Sequence, residues 1–308
     1  MKNFTHVIFS AQFIKTILEK NYNIKIKYCF LLYRSFSDIY MVKTAKNNYI
    51  FKLYEKTTEN LLNIKKNIYM YETLGDLSVK IFKNNSSKYV IDIELNNILK
   101  YGILMEYIKS DILPAKMPFE YGKNIALFHS VLAEKSTKTF EYNLPFIANN
   151  AFNDIVGFYK IHNLCLPNDF INLFNICLNI FCDYKERKTM CHNDFHGSNM
   201  FLLGNNFKIY DFDFLGENFL IYELAVFAWS CYLRNSKMDF DEFIKGYNTS
   251  FSSNEYDKKM LVACIFLRDI ITFGYDIKKL EFLGSLVLSK KYFDLRKQMC
   301  NLIKKEIK

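Results

Sequence analysis

"MCHNDFHGSNMFLLGNNFKIYDFDFLGE", Met190 to Glu217, packs two histidines, three aspartates and four asparagines between apolar positions. Within it, "MFLL" and "FKIY" read as short strands flanking Gly204-Asn205-Asn206, residue types that tolerate positive φ, so the spacing predicts a hairpin. With Leu203 facing Phe207, Asn199 falls opposite Asp211 at the open end, with Cβ atoms about 5 Å apart. Asp213 follows Asp211 at the strand period of two, which puts both on one strand face. An amide oxygen and carboxylates gathered at one place make a hard, oxygen-only donor set. Such a set suits magnesium held partly by water and phosphates better than zinc. Asp194 stands in the loop entering the hairpin. A free carboxylate beside a phosphate-bearing cation can accept the proton of a substrate hydroxyl and hold that oxygen in line.

Outward from this stretch the two halves of the chain differ. Up to about residue 110, after one opening helix near Ser10 to Lys20, the pattern is strand-like. "IKIKYCFLLY", "IYMVKTA" and "YIFKLYE" are rich in β-branched and aromatic residues and are separated by short polar breaks, which predicts an antiparallel meander. "LLNIKKNIYMYETLG" places Leu61, Ile64, Ile68 and Tyr71 on one helical face and ends on Gly75, a helix stop. "VKIF", "YVIDIEL" and "YGILMEYI" supply further strands. After "KSDILPAKMP" the apolar spacing becomes helical and, the quoted stretch aside, remains so to the end. The expected fold class is α+β: an antiparallel sheet lobe with one crossing helix over residues 1–108, and a larger, mainly helical lobe over 109–308.

Composition narrows the function classes. Half of the 308 residues are apolar, enough for a substantial core and against disorder. The net charge of +9 is concentrated in residues 1 to 110, with 17 Lys or Arg against 9 Asp or Glu. Residues 206 to 275 hold 7 basic and 10 acidic residues, a slight lean towards a cationic partner. Eight cysteines without a Cys-x-x-Cys pair read as small hydrophobes in a reducing cytoplasm. Nowhere do 18 uncharged apolar residues run together, which speaks against a membrane span, and no nucleic-acid-binding motif is present.

His192-x-Asp194-x-His196-x-x-Asn199, followed by Asp211-Phe212-Asp213, resembles the signature of the aminoglycoside phosphotransferase and choline kinase superfamily, small-molecule relatives of the protein kinases. Asn193 stands where such enzymes normally have Gly. "YIFKLYE" resembles the strand carrying the phosphate-binding lysine, here Lys52. "ILMEYI" resembles the linker whose residues Met105, Glu106 and Tyr107 would meet adenine. "FEYGKNIALFHSVL" is similar to the first helix of the large lobe, and "IYELAVFAW" to the helix after the metal loop, with Glu223 replacing an Asp.

The resemblance implies a bilobal, protein-kinase-like fold, ATP or GTP with Mg2+ as cofactors, and transfer of the γ-phosphoryl group to a hydroxyl of a small molecule. Asp194 would be catalytic, and Asn199, Asp211 and Asp213 would hold the metal. The turn Arg34 to Asp38 has no glycine, so phosphate contact there falls to Ser35, Ser37 and backbone amides. The helix partner of Lys52 is open between Glu72 and Asn67. His192 and His196 are expected to orient the loop and His129 to sit satisfied in the core, while Arg268 and Asp269 border the acceptor pocket or form an ordinary ion pair. The acceptor is expected to be an aminoglycoside or aminocyclitol antibiotic, with a choline, ethanolamine or homoserine type of amino alcohol second. From other classes, a two-metal hydrolase and a non-catalytic nucleotide-binding module remain.

Overall fold

The structure is a computed structural model that describes residues 7–109, 116–203, 206–234, 237–250, 256–284 and 288–307. Most of the linker "KSDILPAKMP" and the hairpin residues Gly204 and Asn205 lie outside the described residues. The chain forms two compact units, one of Met1–Asp111 with Phe201–Asp213, the other of Ile112–Met200 with Phe214–Lys308.

The first unit opens with α1 (Ala11–Tyr22), whose N-cap Ser10 accepts from the Phe13 N–H at 3.2 Å. Strands β1 (Ile26–Arg34), β2 (Ser37–Thr44) and β3 (Asn48–Glu55) then form the expected antiparallel meander. Helix α2 (Thr58–Leu74) starts at the Thr57 cap and stops at Gly75, which takes φ 54°. Strands β4 (Ile81–Phe82), β5 (Val90–Leu95) and β6 (Ile98–Glu106) complete a sheet in the order β1-β2-β3-β6-β4, with β5 also on β6.

Alternation along these strands sorts their side chains. Phe51 and Leu53 of β3 join Tyr40, Val42 and Leu104 against Ile14 and Leu18 of α1, all of them buried. The opposite face of β3 carries Ile50, Lys52 and Tyr54, which pair across β6 with Met105, Ile103 and Tyr101. That face sets a row of apolar residues beside one buried ammonium.

The second unit holds α3 (Pro118–Lys135), α4 (Leu144–Ile161), α5 (Asn168–Asp183) and β7 (Lys188–Cys191). Strands β8 (Met200–Leu203) and β9 (Asn206–Ile209) pair as the expected hairpin, and most of it belongs to the first unit. Strand β10 (Gly216–Phe219) pairs antiparallel with β7 and leads into α6 (Leu220–Arg234), α7 (Lys237–Tyr247), α8 (Lys258–Leu283) and α9 (Lys290–Ile307).

Helix α8 is the axis of this unit. Every residue from Met260 to Ile271 is buried, and α4, α5, α6 and α9 pack around it. All eight cysteines are free thiols, five of them buried. No helix among the described residues is long and apolar enough to cross a membrane.

Helices α3 and α7 approach so closely that a Cβ on Gly122 would overlap the Phe243 carbonyl, and one on Gly246 the Phe119 carbonyl. Because backbone cannot yield as a flexible side chain does, Gly246→Ala is expected to destabilise the protein by about 1–3 kcal/mol. A denaturant titration checks this, and an unchanged midpoint would show that the helices slide apart freely.

Candidate active site

In the first unit the site is built around Lys52. Its ammonium lies 2.8 Å from Asp211 Oδ1 and 3.1 Å from Asp213 Oδ2. Burial alone would lower this ammonium, but Asp211 and then Asp213 outweigh it and hold its pKa well above the ordinary value. For Asp213 burial pulls upward, yet Lys52 brings the carboxyl below its usual range.

The two aspartates meet Lys52 by a route other than the one expected. β9 ends at Ile209, Asp211 takes φ 67°, and Phe212–Phe214 forms a 3-10 turn, so Asp211 and Asp213 do not share a strand face. One left-handed residue breaks the strand period, and the turn brings both carboxylates round to the same ammonium.

Helix α2 holds this turn through Asn67, which is buried. Its Oδ1 accepts from the Phe212 N–H at 2.8 Å and its Nδ2 donates to Asp213 Oδ1 at 2.6 Å. The question between Glu72 and Asn67 is thereby answered: Asn67 faces inward, while Glu72 is exposed and bonds Tyr89. Neither supplies a carboxylate to Lys52. Tyr71 adds an edge contact to the Phe212 ring at 5.2 Å, and Lys66 reaches the Asp213 carbonyl at 3.3 Å.

Both Asp213 oxygens are engaged by donors of the chain, Oδ2 by Lys52 and Oδ1 by Asn67. Asp211 is the more open, its side chain 34% exposed against 26%. Its hard carboxylate, on a turn held by Asn67, fits a cation such as Mg2+.

The other nucleotide candidates lie on the same sheet. Met105 shares a face with Lys52, as does Ser37, which pairs with Tyr54. The turn shrinks to Ser35 and Phe36, because Arg34 already pairs with Asp38 and the Ser35 N–H donates to the Ser37 carbonyl. The Glu106 N–H donates to the Lys80 carbonyl and the Tyr107 N–H to that of Asn48.

In the second unit Asp194 sits on the loop after β7. Glu223, fully buried on α6, accepts the His192 N–H at 2.8 Å and the Asn193 N–H at 2.7 Å. Asn193 takes φ 63°, the left-handed conformation that Gly would adopt more readily. It uses its side chain for something glycine cannot do: Nδ2 donates to the Phe214 and Gly216 carbonyls, both at 3.0 Å, and Oδ1 accepts from Asn218 at 2.8 Å.

Beyond it, Asn199 Nδ2 donates to the Asp194 carbonyl at 2.8 Å and to its Oδ2 at 3.0 Å, which leaves Asn199 Oδ1 as the atom to offer a cation. His192 stacks on Phe195 at 4.7 Å and His196 Nε2 lies 3.5 Å from Asp194 Oδ2, so both histidines orient the loop. Among the described residues no group of three His, Cys, Asp or Glu is arranged to hold a metal. His129 is buried, with Nδ1 3.1 Å from the Tyr247 hydroxyl.

Arg268 and Asp269 of α8, expected to border the acceptor pocket or form an ordinary ion pair, are each in an ion pair, but with different partners. Arg268 Nη2 donates to Asp194 Oδ1, and its guanidinium lies over the Trp229 ring at 5.2 Å. Burial would raise the Asp194 carboxyl, but Arg268 and then His196 hold it well below the ordinary carboxylate range. Asp269 takes Arg296 of α9 and the Trp229 indole N–H, the latter at 2.9 Å. Two adjacent opposite charges inside the apolar run "MLVACIFLRDIITFGY" were the available signal, since a fully buried helix tolerates charge only when it is paired. The grip of Glu223 on two amides was not legible.

Residues 166–258 match the model of the phosphotransferase enzyme family. The family resemblance holds. No curated protein matches the chain in sequence. Among solved structures, an amicoumacin kinase with AMP-PNP and Ca2+ superposes with a TM-score of 0.72 at 13% identity, covering 96% of this chain and 94% of its own. A spectinomycin phosphotransferase with ADP and spectinomycin gives 0.67 at 13% identity, covering 97% and 99%. A choline kinase from Streptococcus pneumoniae gives 0.65 at 17% identity, covering 94% and 98%. At these identities the likeness is one of fold.

Removing Arg268 strands a buried carboxylate. Arg268→Met is expected to lose about 3–5 kcal/mol of stability, and most of that loss should vanish in the double variant with Asp194→Asn. Urea melts of the four proteins in this cycle measure the coupling, and additive losses would mean that the two groups do not depend on each other.

Proposed function

We propose that the protein transfers the terminal phosphoryl group of ATP, or of GTP, to a hydroxyl of a small molecule. The observation that carries this reading is the convergence of Lys52 with Asp211 and Asp213, an ammonium and two carboxylates drawn from separate parts of the chain. A polyphosphate with its cation calls for that mixture of charges. When bound, a divalent cation such as Mg2+ would neutralise charge on the phosphate oxygens, with Asp211 and Asn199 supplying oxygen and Asp213 steadied by Asn67.

Lys52 would hold the phosphates from the sheet, and Ile50 and Met105 on the same face would receive the apolar surface of the base. Asp194 would accept the hydrogen bond of the acceptor hydroxyl. Held ionised by Arg268, it is a weak proton acceptor, so its contribution lies mainly in fixing where the oxygen points.

An acceptor of the antibiotic kind is ranked first, because two similar solved structures are a kinase of amicoumacin and a phosphotransferase of spectinomycin. An amino alcohol ranks second, with a choline kinase as the similar structure. The slight acidity of residues 206–275 lends the cationic acceptor little support, since Asp269 and Glu223 are engaged internally. Eight free thiols are in keeping with a reducing cytoplasm. The two-metal hydrolase finds no ligand cluster among the described residues.

Nucleotide consumption, screened against aminoglycosides, aminocyclitols, choline and homoserine, tests the reaction. With the best acceptor, Asp194→Asn is expected to lower kcat by about 10²-fold, the scale of a misplaced reacting oxygen, while nucleotide binding persists. A variant keeping more than half the turnover would remove Asp194 from its role, and hydrolysis of simple phosphoesters without nucleotide would overturn the reading altogether.

A further inference from the structure

We propose that the outer side of α2 carries a second binding site, for a small organic anion, and that its occupant braces the helix that holds the turn of Asp211 and Asp213. The effect on that turn rests on the phosphotransferase reading above; the site itself stands apart from it. Helix α2 is apolar on more than its inward side. Leu61 and Ile68 are seven residues apart, about two turns along one side of the helix, and both stay only half-buried. They border a cavity of about 540 Å³ that α2 shares with β5, β6 and the connection between β4 and β5. Val90 and Tyr101 continue its apolar wall. Sites for small molecules commonly measure about 300–1,000 Å³, so the space suits a compact ligand.

The rim of the cavity is cationic. Lys56, Lys83 and Lys88 stand on it against one acid, Asp92, among the described residues. Asp92 is already taken by Lys56 at 2.7 Å, and that ammonium also lies 5.3 Å from the centre of the Tyr101 ring. Glu72, nearby on α2, bonds Tyr89. Lys83 and Lys88 have no ion pair among the described residues, and Lys83 lies over the Tyr89 ring at 4.9 Å. The connection that carries both is folded on itself, with Asn84 Oδ1 accepting the Ser86 N–H at 3.0 Å and the Lys88 N–H at 2.9 Å. Two uncommitted ammonium groups above an apolar wall suit a molecule with a phosphate or carboxylate at one end and a ring or short hydrocarbon at the other. A bare inorganic anion would leave Leu61 and Ile68 to water, and a neutral apolar molecule would leave the lysines unused.

One helix links this cavity to the turn. Asn67 and Ile68 are consecutive, and Asn67 holds the Phe212 N–H and Asp213 Oδ1 from the inward side of α2. An occupant seated on Leu61 and Ile68 restrains α2 from outside and Asn67 with it. Nucleotide then meets a turn already ordered, and less of its binding energy goes into ordering it.

The test uses the full chain and phenyl phosphate as the probe, titrated by calorimetry with AMP-PNP and Mg2+ in excess so that the probe cannot enter the nucleotide site. Phenyl phosphate should bind about tenfold more tightly than inorganic phosphate, because only its ring reaches the apolar wall. Lys83→Gln with Lys88→Gln should weaken it by about tenfold, the worth of a charged hydrogen bond. Lys27→Gln with Lys46→Gln, which removes the same charge from exposed positions outside the cavity, should leave it unchanged. Excess phenyl phosphate should tighten AMP-PNP by about fivefold in wild type and not in the Lys83 and Lys88 variant, whereas simple competition would weaken it. Phenyl phosphate that fails to bind, or that responds alike to the two lysine pairs, overturns the site. A probe that binds there and leaves AMP-PNP unchanged or weaker overturns the bracing of α2. If AMP-PNP itself fails to bind while phenyl phosphate does, the phosphotransferase reading falls and the site remains.

Discussion

A charge taken out of water must find its counter-charge inside the protein, and that requirement arranges the candidate residues of each unit. Lys52 in the sheet, Arg268 in a helix buried on all sides and Glu223 at full burial are each too expensive to leave alone, by several kcal/mol apiece. Each is matched: Lys52 with Asp211 and Asp213, Arg268 with Asp194, and Glu223 with two backbone N–H groups. The partners are the residues that a phosphoryl transfer would use. The contacts that hold the loop carrying Asp194 are thus the same pairings that let the core close.

The fold was legible because period and punctuation agree along most of the chain. The meander, α2 with its Gly75 stop and the hairpin of β8 and β9 all follow from alternation, helical spacing and turn residues. Legibility failed where one residue leaves the regular pattern. Asp211 at φ 67° turns the strand aside, so the period of two misdescribed how Asp213 is placed, although the residue still meets Lys52. The helix partner of Lys52 was beyond reach for a related reason. Apolar spacing finds the inward side of α2 but cannot say that an amide there serves the neighbouring turn and not the lysine.

The second unit shows the same limit in another form. His192, Asp194 and Asn199 stood out by spacing alone, whereas Glu223 and Arg268 act from 31 and 74 residues away. Nothing local marks such partners except that a charged residue occurs where the helix should be apolar. "FLRDII" carried that mark, and it pointed to pairing without naming the other side.

Asn193 ties these strands together. A left-handed residue between the strand and Asp194 is a backbone requirement, and glycine meets it at the lowest strain. Asparagine tolerates the same conformation and adds an amide, which here bridges the Phe214 and Gly216 carbonyls and receives Asn218. With Glu223 gripping the consecutive amides of His192 and Asn193, the loop is fixed from two directions by side chains where a glycine loop would depend on backbone alone. The departure from the motif is thus compensated within the same few residues, and the cost of the asparagine backbone is met by three hydrogen bonds that also fix the direction in which Asp194 leaves the strand.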